Sequence, residues 1–360
     1  MMNRYFPFLL GIMMLSLWGG CVDDIPLEVP EGNTQKLVIQ ASIMKGNPSV
    51  IEVLLSHSAD FVQYFNARQI SGASVKILDE TQRSLLIPEA RPGLYRLAWV
   101  NDGDFEIARG QTYQLEVQLP TGASYLSSLE RIYAVPAATD IHIGLQTRSV
   151  LNEAENIVET PFIQFLIETP LKHPDETEKA YLKWDMEGVF RLIELEAPIP
   201  IPGPQTCYIS ESIGLGQVHV FNGFETSDDR LTNHLIYEEA INWNYSAGYY
   251  LTVYQQSLSK GAYEYWNKVS EVSAREGSLF EPPPGKIKSN IYNVDDEQEQ
   301  VLGYFYATEV DSIRRFIQPQ EANSPSAPCF AYTYETADDY CRNCLLWPNS
   351  TLRKPDYWVE

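Results

Sequence analysis

The sequence predicts a mainly β protein: two β-sandwich-like domains, with one short helix near residues 261–276 in the second. Three observations carry this reading. Short runs rich in β-branched and aromatic residues recur along the chain, some of them alternating apolar with polar. Clusters of Gly, Pro, Asn and Asp punctuate those runs as turns. A single stretch repeats with helical period. The chain has 360 residues, 44% of them apolar and 12% aromatic, enough to fill two cores of ordinary size.

The N-terminus reads as an address. Met1-Met2-Asn3-Arg4 is a short basic opening, residues 5–18 are an almost unbroken apolar run, and Gly19-Gly20 precede Cys21. That layout is a secretory signal, and the run is shorter than the roughly 20 residues a spanning helix needs. Residues 1–20 are therefore expected to be a signal peptide. Cys21 is expected to be lipidated as the first mature residue, and residues 21–34 to form a tether. Gly20 fits a lipoprotein site, whereas Trp18 departs from the aliphatic residue usual there. Val22-Asp23-Asp24 resembles the surface-export signal of Bacteroidota-type lipoproteins, which implies an outer-membrane, surface-exposed position.

The first sandwich is expected over residues 35–125. Its strands are read at 37–43, 50–55, 74–78, 94–99 and 113–119, separated by Gly46-Asn47-Pro48, Arg91-Pro92-Gly93, Asn101-Asp102-Gly103 and Pro120-Thr121-Gly122. Gly72-Ala73-Ser74-Val75 followed by Pro92-Gly93-Leu94-Tyr95 is similar to the pattern of transthyretin-like and carboxypeptidase-regulatory-like sandwiches, so the domain is expected to be an immunoglobulin/transthyretin-like sandwich. That similarity implies that Val75 and Tyr95 face inward.

The second β-rich domain is expected over residues 133–360, with strands at 162–167, 180–186, 189–195, 218–221, 249–254 and 301–307. The proline-rich run at 197–204 cannot be a central strand. Tyr265, Trp266, Val269 and Val272 share one helical face, and Pro282-Pro283-Pro284 forbids the helix to resume. That face is read as packing against a sandwich rather than as a binding surface.

Charge and motif searches exclude whole classes of function. Lys+Arg 26 against Asp+Glu 48 gives a net charge of −22, which repels nucleic acid and anionic membrane surfaces alike. Membrane attachment must come from the lipid on Cys21. No H-E-x-x-H, G-x-S-x-G, P-loop or G-x-G-x-x-G occurs, and the five histidines share no ligand spacing. The acid pairs Asp228-Asp229, Asp295-Asp296 and Asp338-Asp339 read as solvated loops. No enzyme activity, cofactor or metal is expected. Cys207, Cys329, Cys341 and Cys344 read as two disulfides of an oxidising compartment, with three pairings open and Cys207 expected to tie the middle of the chain to its end. The aromatics Trp243, Tyr245 and Tyr249, set among Asn and Gly, are the candidate ligand-facing residues.

A wider resemblance rests on three stretches. These are 265–271 (Tyr-Trp-Asn-Lys-Val-Ser-Glu), 277–291 with its triple proline, and Gly303-Tyr304-Phe305. Cys341-Arg342-Asn343-Cys344 and Lys354-Pro355-Asp356-Tyr357-Trp358 add the ending. Together they resemble a family of uncharacterised Bacteroidota lipoproteins, domains of unknown function often encoded beside TonB-dependent receptors. The resemblance implies a non-enzymatic accessory or binding partner of such a receptor in nutrient capture. The alternative is a receptor-independent glycan-binding protein or adhesin.

Overall fold

The computed structural model describes residues 35–58, 68–198, 203–214, 216–274, 287–329 and 332–359. The expected signal peptide, Cys21 and the tether lie outside the described residues, as do Gly277 and the triple proline. The mainly β class holds throughout.

The first half supplies β1 (Leu37–Lys45), β2 (Ser49–His57), β3 (Arg68–Gln69), β4 (Ser74–Asp79), β5 (Ser84–Ile87), β6 (Glu89–Arg91), β7 (Leu94–Trp99), β8 (Thr112–Gln118), β9 (Ser124–Ser127) and β10 (Glu130–Arg131). Then follow β11 (Asp140–Leu151), β12 (Ile157–Pro170), β13 (Tyr181–Ile193), β14 (Thr206–Ile213), β15 (His219–Asn222), β16 (Arg230–Ala240) and β17 (Tyr249–Leu258). Helix α1 (Lys260–Ser273), β18 (Ile291–Asn293), β19 (Phe305–Ile317), helix α2 (Asp339–Arg342) and β20 (Ser350–Thr351) complete the order.

Strand β8 shows why these residues form sheet. Tyr113, Leu115 and Val117 are fully buried, while the alternating Gln114 and Glu116 are only half-covered. They meet Ile39, Ile43, Ile51, Val53 and Leu55 of the facing sheet, and Val75 and Tyr95 point into the same core, as expected. Each fully buried Val, Leu or Ile stabilises the fold by about 1.5–3 kcal/mol. The second core gathers Ile163, Phe165 and Ile167 of β12 with Trp184, Phe190, Leu251, Val253 and Ile317. Strand β17 is buried at nine of its ten positions, because α1 covers one stretch of its outer side and the C-terminal Trp358 another. A strand covered on both faces loses the alternation that marks a half-exposed one.

The two sandwiches share a strand. Residues 305–309 of β19 pair in parallel with β1, from Ala41↔Phe305 to Lys45↔Glu309. Residues 310–317 then pair antiparallel with β17. One sheet order, β20-β14-β13-β17-β19-β1-β2-β7-β6, therefore runs through both halves. Strand β18 also returns to pair with β9, and Ile291, Val301, Phe305 and Ala307 fill the first core. The sandwich expected over 35–125 thus takes strands from beyond residue 133. Sequence spacing missed this, since a returning strand carries no local signal of its distant partner.

Glu309 sits at the handover and is 5% exposed. It accepts hydrogen bonds from Lys45 Nζ at 2.7 Å, Arg109 Nε at 2.7 and 2.9 Å, and the Val135 amide at 3.1 Å. Burial alone would raise its pKa, but these donors outweigh burial and hold it below the usual glutamate value.

Candidate functional site

Where the shared sheet passes under α1, its outer face opens into a pocket. The helix starts cleanly, because the Ser259 side chain accepts from the Ala262 amide at 3.1 Å as an N-cap. It spans Lys260–Ser273, against the expected 261–276. On the sheet side, Phe305 and Ala307 point into the first core, so the alternating Tyr304 and Tyr306 point out toward the helix. Gln40 and Ser42 of β1 and Glu52 and Leu54 of β2 share that outer face, in register Gln40↔Leu54, Ser42↔Glu52 and Ser42↔Tyr306. With Tyr265 and Trp266 of α1 they line a half-open pocket of about 150 Å³.

Gly303 makes this approach possible. Its φ is +95°, and a Cβ there would fall on the backbone carbonyl of Ile39. The chain runs alongside β1, the Leu302 and Tyr304 carbonyls accepting from the Ile39 and Ala41 amides at 2.9 and 3.0 Å, and delivers Tyr304 to the pocket. Tyr304 Oη donates to Glu130 Oε1 at 2.8 Å, and Ser259 Oγ donates to Glu130 Oε2 at 2.6 Å. Burial raises the Glu130 pKa despite these donors.

The aromatic walls stand in different planes. Tyr265 and Tyr304 have ring centroids 4.8 Å apart and tilted, whereas Tyr265–Trp266 and Trp266–Tyr306 meet at 81° and 86°. Lys183 Nζ lies 5.1 Å from the centre of the Trp266 ring and is paired with Asp185. The Trp266 indole N–H is shielded and has no hydrogen-bond acceptor in the described structure. Glu52 is 42% exposed at its side chain and meets Arg96 only at 3.6 Å.

The three aromatics singled out from sequence lie elsewhere, and they correct the expectation. Tyr245 and Tyr249 are fully buried, with ring centroids 4.6 Å apart. Tyr245 donates to Glu239, and Tyr249 donates to Glu211 Oε1 at 2.8 Å. Trp243 is half-buried and edge-to-face with Phe190 and Trp347, at 5.3 and 5.1 Å. The cause is local: Asn242 caps a 3-10 turn, Trp243–Ala247, that folds the stretch back onto the second core. Gly188 on β13 leaves the gap into which Tyr249 extends. Burial raises the pKa of both Glu211 and Glu239.

Sequence reading assigned Tyr265 and Trp266 to packing and did not select Tyr304 or Tyr306. Packing is half the answer, since all four join one buried cluster, yet their outer surfaces line the pocket. The available signal was the alternation Tyr304-Phe305-Tyr306 directly after a glycine.

The disulfides join Cys207 to Cys344 and Cys329 to Cys341, all four buried. The two cysteines of the C-x-x-C thus bond to different partners, and Cys207 does tie the middle of the chain to its end. Among the described residues, no group of three His, Cys, Asp or Glu side chains is placed to hold a metal ion.

No curated protein and no solved structure matches the chain. A family model does, over residues 22–314, ending within β19 and short of the three C-terminal cysteines. The chain belongs to that family, described as a domain of unknown function, DUF4249.

Proposed function

We propose that the protein is a non-enzymatic binding lipoprotein of the outer membrane, exposed at the surface and working with a TonB-dependent receptor in nutrient capture. The observation that supports binding most directly is the aromatic pocket at the seam. Both halves of the molecule contribute to it, and its lining offers ring surfaces and a rim carboxylate. The membrane address rests on the apolar run before Cys21, and the receptor on the resemblance of the chain's motifs. A body of net charge −22 stays away from an anionic surface while the acyl chains hold the N-terminus.

Two measurements test the parts separately. Cys21→Ser should release the protein from the membrane fraction, and retention would refute the lipid anchor. Purification of the wild type in mild detergent should bring down a β-barrel receptor. Recovery of the lipoprotein alone, under conditions that preserve a known receptor complex, would defeat the partnership. Of the residues that motivated the glycan-binding alternative, Tyr245 and Tyr249 are core side chains, and Trp243 is half-buried and edge-to-face with Phe190.

A further inference from the structure

We propose that the pocket between α1 and the outer face of β1 and β2 binds one organic ammonium head group, held by cation–π contact with Tyr265, Trp266, Tyr304 and Tyr306 and by the Glu52 carboxylate. This goes beyond the receptor partnership and stands whether or not that partnership does.

Size sets the first bound. Pockets for drug-sized ligands run about 300–1,000 Å³. About 150 Å³ admits one compact group, and an oligosaccharide is too large. Ring geometry sets the second. Sugars stack on a flat aromatic face, whereas here two of the three ring contacts are within 9° of perpendicular. Rings in different planes offer no single flat platform for a sugar, while a compact cation needs only a ring within reach, as in quaternary ammonium recognition.

Charge sets the third. The carboxylate in the pocket's lining is Glu52, and the whole chain carries −22. The field of the whole chain repels an anionic guest and draws in a cation, and Glu52, which Arg96 meets only at 3.6 Å, adds to that attraction locally. The polar atoms of the wall are partly committed already. Tyr304 Oη is turned to Glu130. Few directional partners therefore remain for a polyhydroxylated guest, while ring faces and a carboxylate need no such direction. Lys183 is itself a cation beside Trp266, which shows that this ring accepts one, and Asp185 neutralises it.

The head group could arrive on a small amine or on a lysine side chain of a partner protein. Titration calorimetry on the full-length chain in detergent separates these sources with choline in one arm and N-acetyl-lysine methylamide in the other. At least one should bind saturably, and the arm that binds names the source. The decisive control is 3,3-dimethyl-1-butanol, which has choline's shape with a carbon in place of the charged nitrogen. It should bind at least about tenfold more weakly, the order of a desolvated cation–π contribution. Trp266→Ala should abolish binding. Glu52→Gln, on the exposed sheet face, should weaken it about threefold with the fold intact. Binding of neither cation would overturn the proposal, as would equal binding of the neutral isostere or an unchanged affinity in Glu52→Gln.

Discussion

Around Gly188 and around Gly303 the molecule uses one device, a glycine that lets a tyrosine approach closely, and obtains opposite results. At Gly188 the space is filled by Tyr249, whose hydroxyl reaches across β13 to Glu211 in a closed core. At Gly303 the backbone itself presses on β1, and the following Tyr304 lands at the edge of an open pocket. Inside the second sandwich a phenol satisfies a half-buried acid, and at the seam a phenol keeps one side toward solvent. Rich aromatic content therefore does not locate a binding surface. What locates it is whether a second layer closes over the rings.

Breaking the two glycines measures the contrast. Gly303→Ala should have the largest effect, about 4 kcal/mol or failure to fold, because the φ is positive and the obstacle is backbone that cannot rotate away. Gly188→Ala should cost about 3 kcal/mol in urea unfolding, since the obstacle is the far end of one side chain. Tyr249→Phe removes the obstructing hydroxyl and with it a hydrogen bond to Glu211. The double variant should then recover about 1 kcal/mol relative to additivity. Strict additivity would show that Tyr249 is not what Gly188 accommodates.

The carboxylates divide in the same way. Glu309 joins three segments with charged donors on two sides, and Glu309→Gln should cost about 2–3 kcal/mol. Because its folded pKa lies below the ordinary 4.5, its contribution is present above that value and is lost as pH falls below it. Glu239 has the opposite sign. Its folded pKa is raised above 4.5 by burial, so its contribution is complete below 4.5 and lost as pH rises through the folded value. Glu239→Gln should change stability by less than about 1 kcal/mol at pH 7 and flatten the decline on the neutral side. Unfolding curves from pH 3 to 8 check both, and a shared sign would break the distinction between the seam and the tyrosine cluster.

The first sandwich was legible where its strands have one wet face. Tyr113, Leu115 and Val117 alternate with polar residues, and Val75 and Tyr95 lie inside as read from the motif around them. The helix was legible from its period, to within three residues at its end. The join between the sandwiches was not legible, because parallel pairing of β19 with β1 crosses more than 260 residues and leaves no periodic trace. The pocket was half legible. Tyr265 and Trp266 share a visible helical face, but the sheet residues beneath them come from Gln40 to Leu54, a contact only the fold creates. The aromatics after Asn242 are the instructive miss, because that Asn caps a 3-10 turn and so folds Tyr245 inward.

The smallest expected effect on stability belongs to Glu52, and it completes the contrast with Glu309. Both glutamates belong to the same sheet, one inside the handover and one on the pocket rim. Glu52 has Arg96 at 3.6 Å and a side chain 42% exposed, so its ion pair is worth well under 1 kcal/mol. Glu52→Gln should move the urea midpoint by no more than about 0.5 kcal/mol in free energy. A carboxylate that contributes so little to the fold is free to serve a guest in the pocket it lines. A loss of about 2 kcal/mol would instead make Glu52 part of the seam's own construction, and the rim carboxylate would then have no claim on a ligand.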